Sequence, residues 1–139
     1  WTTITNWYWD RKNKINFKEY DYALTNQEIV DLYSGCDIIS LISTYEGFGM
    51  PIIEGNLVGR PVISSNLASM PEIASDAAIL VNPYDVDEIN KGLKSIIENN
   101  SLRERLILNG YTNAKKYSIN HQMEKLKDIY LNFLNTWKY

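Results

Sequence analysis

Residues 37–66, DIISLISTYEGFGMPIIEGNLVGRPVISSN, decide how the rest of the chain is read. They open with Asp37 to Ile42, a short and nearly continuous apolar run, as expected of a strand buried on both faces. A glycine-containing loop follows, and then a predicted helix from Pro51 to about Val58. Gly59-Arg60-Pro61 turns the chain into Val62-Ile63-Ser64, a second buried strand. Strand, helix and strand in that order form the unit of a parallel α/β sheet, because parallel neighbours need a crossover between them.

The alternation continues outward. Upstream, Ile15 to Tyr20 alternates apolar and polar residues and predicts a strand. Thr25-Asn26-Gln27-Glu28 is a capping box, with Leu24 and Ile29 placed as a hydrophobic staple. The helix it opens carries Ile29, Val30, Leu32 and Tyr33, and Gly35 ends it. Downstream, Pro71 marks the start of a short helix, and Ala78 to Val81 is the last strand. Asp85 and Glu88 cap a helix with Val86, Ile89, Leu93, Ile96 and Ile97 on one face. Ser101-Leu102-Arg103-Glu104 reads as another capping box. Ile119, Met123, Leu126, Tyr130 and Phe133 form the stripe of a long amphipathic helix, expected to serve packing.

The predicted fold class is α/β, a Rossmann-like parallel sheet with flanking helices, over residues 15–139. Residues 1–14, WTTITNWYWDRKNK, have no clear period and are expected to form an irregular N-terminal segment. Trp7, Tyr8 and Trp9 there would cover a core edge or face a domain outside this chain; contact with a membrane interface or a sugar ring is the alternative.

Bulk properties exclude several classes. At 139 residues, 45% hydrophobic and 22% charged, the chain has the make-up of one globular domain. A net charge of −3 argues against nucleic acid as a partner. Cys36 and His121 are the only cysteine and histidine, so neither a disulfide framework nor a histidine-pair metal motif is present. Cys36 reads as a small buried residue at a helix-to-strand junction, and His121 as a cap or solvent residue early in a helix. Asn99-Asn100-Ser101 matches a glycosylation sequon but is read as a loop. No apolar run approaches the roughly 18 residues of a membrane span and no secretory signal is visible, so a cytoplasmic location is expected.

The chemistry gathers in residues 44–54, TYEGFGMPIIE. Ligands of open α/β sheets bind beyond the carboxyl ends of the strands, where this loop must lie. Gly47 and Gly49 let the backbone approach a ligand closely. Amides opening the helix near Pro51, with the positive end of the helix dipole behind them, can seat a diphosphate. Glu46 in the loop and Glu54 in the helix flank those donors with two hydroxyl acceptors. A nucleotide sugar has the matching layout of ribose, diphosphate and hexose. The pattern is neither GxGxxG nor a P-loop, so spacing alone leaves open a simple turn with two unrelated surface glutamates.

YEGFGMPIIEG, residues 45–55, resembles the E-x7-E motif of retaining glycosyltransferases of the GT-B fold, especially family 4, whose usual form is close to EGFGLPxxEA. The flanks are similar as well: LYSGCDIISLIS before it, and GRPVISSNLASMPEIASDAAILVNPYD after it, including Pro71-Glu72. The resemblance covers the chain from about Ile15 to Phe133. It implies that the chain is an incomplete C-terminal, nucleotide-sugar-binding domain. Glu46 would be catalytic, holding donor-sugar hydroxyls and the transition state. Gly47, Phe48, Gly49 and Met50 would meet sugar and diphosphate, Glu54 the ribose, and Tyr20, Asp21 and Tyr22 the base. Neither a metal nor a cofactor is expected.

The full enzyme would transfer a hexose, with retention, to a glycan or lipid-linked acceptor in polysaccharide or glycolipid assembly. The acceptor would be held by an N-terminal domain outside this chain, and the enzyme could associate with the inner face of the membrane. A family strand with an Arg/Lys pair for the diphosphate has no counterpart here, and Arg11, Lys12 and Lys14 do not match it in context. The chain alone is therefore expected to be inactive. Gly55-Asn56 stands where the family usually has Ala-Met or Ala-Ala; a glycine weakens the helix by up to about 1 kcal/mol relative to alanine. Asn120 replaces a common tryptophan. The alternatives are a GT-B-like nucleotide-sugar epimerase, which would need further acid–base residues, and a non-catalytic nucleotide-sugar-binding module.

Overall fold

A computed structural model of the chain describes the backbone of residues 5–9 and 15–19, and residues 23–137 with their side chains. The chain divides into two compact units, residues 1–36 and 37–139.

In the first unit, β1 (Thr5–Trp9) pairs antiparallel with β2 (Ile15–Glu19), Thr5 opposite Glu19 and Trp9 opposite Ile15. Thr5–Trp9 lies within the stretch expected to be irregular. Its aromatic residues favour extended backbone, and what defines the strand is its ladder with β2, which no period in its own sequence announces. α1 (Asn26–Gly35) starts at the predicted capping box: the Glu28 amide donates to Thr25 Oγ1 at 3.3 Å, and the Thr25 amide donates to the Glu28 carboxylate at 2.8 Å. Those bonds from Thr25 hold the Glu28 carboxyl below its usual range. Cys36, after the helix, is half-buried and not fully buried as expected; its Sγ donates to Leu32 O at 3.1 Å.

The second unit runs β3 (Ile39–Leu41), α2 (Met50–Leu57), β4 (Val62–Ser65), α3 (Met70–Ala74), β5 (Ala78–Val81), α4 (Val86–Glu98), α5 (Asn100–Lys116) and α6 (Ile119–Thr136). The sheet order is β3-β4-β5, and both pairs are parallel, with Ile39 opposite Val62 and Val62 opposite Ala78. This is the expected α/β architecture. The central strand β4 is buried at all four positions, whereas Ser40 of β3 is exposed. Burial on both faces thus holds for the middle strand and fails for β3, which sits at one end of the three-stranded sheet.

Side-chain alternation assigns the helices to faces. A Cβ on Gly55 of α2 would stand 2.9 Å from Ile39 Cγ1 and 3.0 Å from Val62 Cγ2. One on Gly92 of α4 would meet Ile63, Val81 and Ile79. Val62 and Ile63 are adjacent and point oppositely, so α2 and α4 cover opposite faces. The core on the α4 side is Ile63, Val81, Ile96 and Leu106, with Ile89, Leu93 and Leu102 packed against it. Val86 and Ile97, predicted on that same helix face, are exposed. For Gly55, the gain of about 1 kcal/mol in helix propensity on changing to alanine is opposed by about 1–3 kcal/mol of overpacking. Close approach of α2 to the sheet explains the glycine.

α5 is locked to the helices beside the sheet by a buried polar link. Asn113 Nδ2 donates to Asn56 Oδ1 of α2 at 3.1 Å and to Ile73 O of α3 at 2.8 Å. Asn56 Nδ2 reaches Ala77 O at 3.5 Å, and Lys116 Nζ donates to Asn113 Oδ1 at 3.5 Å.

Two predicted features are corrected. The N-cap of α5 is Asn99, whose side chain accepts from the Leu102 amide at 3.0 Å; Ser101 lies inside the helix. Asn99 also ends α4, so one residue joins two helices and leaves no loop for Ser101 to open. Arg103 completes the junction by donating to Ile96 O and Ile97 O. The α6 stripe is not buried: Ile119, Met123, Leu126, Tyr130 and Phe133 are all exposed, and Asn120 is exposed with them. No helix among the described residues is long and apolar enough to cross a membrane.

Replacing Asn113 by alanine leaves the buried Asn56 Oδ1 and Ile73 O without their donor. We expect a loss of about 2–3 kcal/mol of stability, read as a lower urea midpoint. A change below about 0.5 kcal/mol, the size of an ordinary surface substitution, would show that the link is dispensable.

Candidate functional site

The candidate loop leaves the carboxyl end of β3 and ends at the first residue of α2. Ser43 begins it with a local turn, its Oγ donating to Tyr45 O at 3.0 Å. Ser64 Oγ, on the neighbouring strand, donates to Leu41 O at 3.0 Å and ties down the strand end from which the loop departs.

Gly49 is the N-cap of α2, with φ 92° and ψ 46° in the left-handed region, and no side chain caps the helix. Only glycine adopts that conformation without strain. A Cβ there would also come within 3.3 Å of Ile52 Cδ1. Gly47 differs. Among the described residues nothing lies within 4 Å of where its Cβ would be, so neither their packing nor a left-handed backbone demands glycine there. Open space beside it is what a ligand approaching the backbone needs. Met50 and Pro51 are the first residues of the helix, and proline supplies no N–H. Among the described residues no acceptor meets the amides of Gly47, Phe48, Gly49 or Met50.

Glu46 and Glu54 are both half-buried, and neither carboxylate has a hydrogen-bond or ion-pair partner among the described residues. One strand–loop–helix segment carries the two carboxylates, the two glycines, Phe48 and Met50. Phe48 and Met50 are exposed. Tyr20, Asp21 and Tyr22 lie outside the described residues. No group of three or more metal-ligating side chains occurs among the described residues. Unpartnered donors that lie in sequence between two unpartnered carboxylates suit an anion that also carries hydroxyl groups.

Two residues that sequence reasoning missed hold this loop. Ser69 Oγ lies 2.9 Å from Glu46 O and 3.1 Å from Phe48 O, its single proton shared between these loop carbonyls. The Tyr117 ring, at the end of α5, meets the Phe48 ring edge-on with centroids 5.6 Å apart. Burial, and then the charge of Glu72, raise the Tyr117 phenol above its ordinary pKa of 10.0. Ser69 carried a signal, but for another role, since a serine before Met70-Pro71-Glu72 reads as an N-cap. Tyr117 carried none.

Known proteins resemble the chain over most of its length. The profile of the family "Glycosyl transferases group 1" matches residues 8–113. The O-antigen chain mannosyltransferase B of Escherichia coli is 36% identical over 109 residues, covering 78% of this chain and 29% of that protein. Among solved structures, the C-terminal domain of a glycosyl transferase group 1 family protein, LpcC, from Francisella tularensis is similar with a TM-score of 0.63 and 30% identity, over 72% of this chain and 53% of that one. Anabaena HepE, solved in complex with UDP and glucose, has a TM-score of 0.63 at 24% identity, over 73% of this chain and 29% of its own. At that identity the likeness speaks for the fold alone. The chain thus spans under a third of the curated mannosyltransferase and about half of the LpcC domain chain.

A phenol with a raised pKa favours the folded state while it stays protonated, and that advantage is lost as pH climbs through its folded value. Tyr117→Phe keeps the ring against Phe48 and removes the titration. Its stability should fall less than that of the parent protein as pH rises above about 10, the ordinary tyrosine value, where the unfolded chain ionises before the folded one. Parallel urea curves with the same pH dependence would contradict this.

Proposed function

The chain belongs to the glycosyl transferases group 1 family, and on that premise we propose that it is the donor-binding part of an enzyme that transfers a hexose from a nucleoside-diphosphate sugar. The observation that carries the reading is the row of unpartnered amides from Gly47 to Met50, set between the half-buried carboxylates of Glu46 and Glu54.

In such a transfer the bond from the anomeric carbon to the diphosphate oxygen lengthens, and negative charge grows on the leaving phosphate. Preorganised amides at the opening of α2 stabilise that charge in the transition state, and the helix dipole adds to them. Glu46 accepts hydrogen bonds from donor-sugar hydroxyls and opposes the positive charge that develops on the ring. Glu54, within α2, takes the ribose hydroxyls. The leaving group is carried without a metal, and the anomeric configuration is retained, as in family 4. Tyr20, Asp21 and Tyr22 are assigned to the base.

A mannose-type hexose is the first donor to test, because the curated relative is named a mannosyltransferase. HepE, which shares the fold, adds UDP and glucose to the candidates. The acceptor is a glycan or lipid-linked saccharide, held by a part of the enzyme outside this chain, in the cytoplasm or at the inner face of the membrane. The names of these relatives lend no support to an epimerase or a non-catalytic module.

Calorimetry of UDP, GDP, ADP and their sugars on the enzyme that carries this domain tests the reading. One nucleotide class should bind. Glu54→Gln should weaken it about tenfold, equivalent to about 1.4 kcal/mol, the size of a hydrogen bond to a charged group. Glu46→Gln should leave nucleotide binding nearly intact and lower turnover about 100- to 1,000-fold, as loss of a transition-state stabiliser does. If no nucleotide binds, or if transfer survives Glu46→Gln undiminished, the assignment is wrong.

A further inference from the structure

Ser69 spends its hydroxyl in an unusual place. It occupies the N-cap position of α3, where a serine ordinarily accepts a hydrogen bond from an amide of the first turn, an arrangement worth about 1 kcal/mol. No such bond forms. Ser69 instead has helical backbone, φ −79° and ψ −17°, and follows Ala68, a non-glycine residue in the left-handed region at φ 51°. That conformation is unfavourable for alanine by about 1–2 kcal/mol. The segment thus forgoes a cap and tolerates strain, and in that arrangement the hydroxyl meets Glu46 O and Phe48 O, more than twenty residues away in sequence.

The consequence follows from peptide geometry. Among the described residues there are no cis peptide bonds, and in a trans peptide the C=O and the following N–H point in opposite directions. Turning the Glu46 carbonyl toward Ser69 turns the Gly47 N–H away from it. Turning the Phe48 carbonyl toward Ser69 does the same for the Gly49 N–H. One hydroxyl proton, shared between the two carbonyls, therefore biases two alternate peptide planes, so that the unpartnered amides of those peptides point away from Ser69.

We propose that Ser69 is a positioning residue of the donor site, aligning the Gly47 and Gly49 amides for the diphosphate by holding the carbonyls behind them. The inference rests on the reading of residues 46–54 as a nucleotide-sugar site. Ser69 touches no ligand; it acts through the loop. Gly47 gives the reason a restraint is needed, since no described residue packs within 4 Å of where its Cβ would be.

The test compares nucleoside diphosphate with nucleoside monophosphate of the same base, bound to the enzyme that carries this domain. Ser69→Ala should weaken the diphosphate about tenfold, the effect of losing one well-oriented charge-assisted hydrogen bond, and weaken the monophosphate by much less. Ser69→Thr, which keeps the hydroxyl, should restore the difference. General destabilisation would lower both affinities alike. Equal losses, no loss, or a threonine variant as weak as alanine would overturn the proposal. If the alanine variant does not fold, Ser69→Cys, similar in shape but a weak donor, is judged by the same diphosphate-to-monophosphate ratio. Failure of the parent enzyme to bind any nucleotide is a separate outcome: it removes the donor-site reading itself, and this inference with it.

Discussion

Because β3, β4 and β5 run in the same direction, the segments leaving their carboxyl ends emerge along one edge of the sheet. Everything at the candidate site depends on that parallel pairing. It brings the loop after β3 beside the loop after β4, so that Ser69 can reach the carbonyls of Glu46 and Phe48. The register is held by what each face buries. Ile39 and Val62 pack toward α2, while Ile63, Ile79 and Val81 pack toward α4. A slip of one residue would exchange those faces and displace a loop by about 3.3 Å. That is more than the whole margin between a hydrogen bond and none.

The loop itself answers two opposed demands. Backbone that meets a ligand closely needs small residues, and small residues leave it free to move. Gly49 resolves this by taking the left-handed conformation that starts α2 and by lying buried against Leu41 and Ile52. Gly47 has no such support, and its peptide is held from outside by Ser69. Phe48 is held from the other end of the unit, against Tyr117. Amides fixed in advance cost less to order when ligand binds or charge develops. The link from Asn113 to Asn56 and Ile73 serves the same end at longer range, by keeping the helix that carries Glu54 beside the helix that follows Ser69.

What was legible in the sequence was local. The capping box at Thr25, the cap at Asp85, the strands at residues 62–65 and 78–81, and the helix opening at Met50-Pro51 each follow from neighbouring residues. So does the clustering of Glu46, Gly47, Gly49 and Glu54, which one strand–loop–helix segment carries. What escaped was decided by partners far along the chain, or by two elements sharing a residue. Thr5–Trp9 is a strand because Ile15–Glu19 pairs with it. Asn99 displaces Ser101 as a cap because it ends one helix and begins the next. Ser69 has the pattern of a cap and the contacts of a loop brace. The α6 stripe has the period of a packed helix, and its residues are exposed. Periodicity reports that a face is apolar and says nothing of what covers it.

The central claim is that the amides from Gly47 to Met50 receive the phosphates of a sugar nucleotide, with the two glutamates at its hydroxyl-bearing ends. A crystal structure of the enzyme that carries this domain, bound to the nucleoside-diphosphate sugar it selects, tests this most directly. The account predicts phosphate oxygens within about 3.2 Å of those amides, the ordinary limit for such bonds. It also predicts Glu46 on the hexose, Glu54 on the ribose, and Ser69 still bonded to the carbonyls behind the loop. A nucleotide bound elsewhere, or one whose diphosphate does not touch the loop, would contradict it.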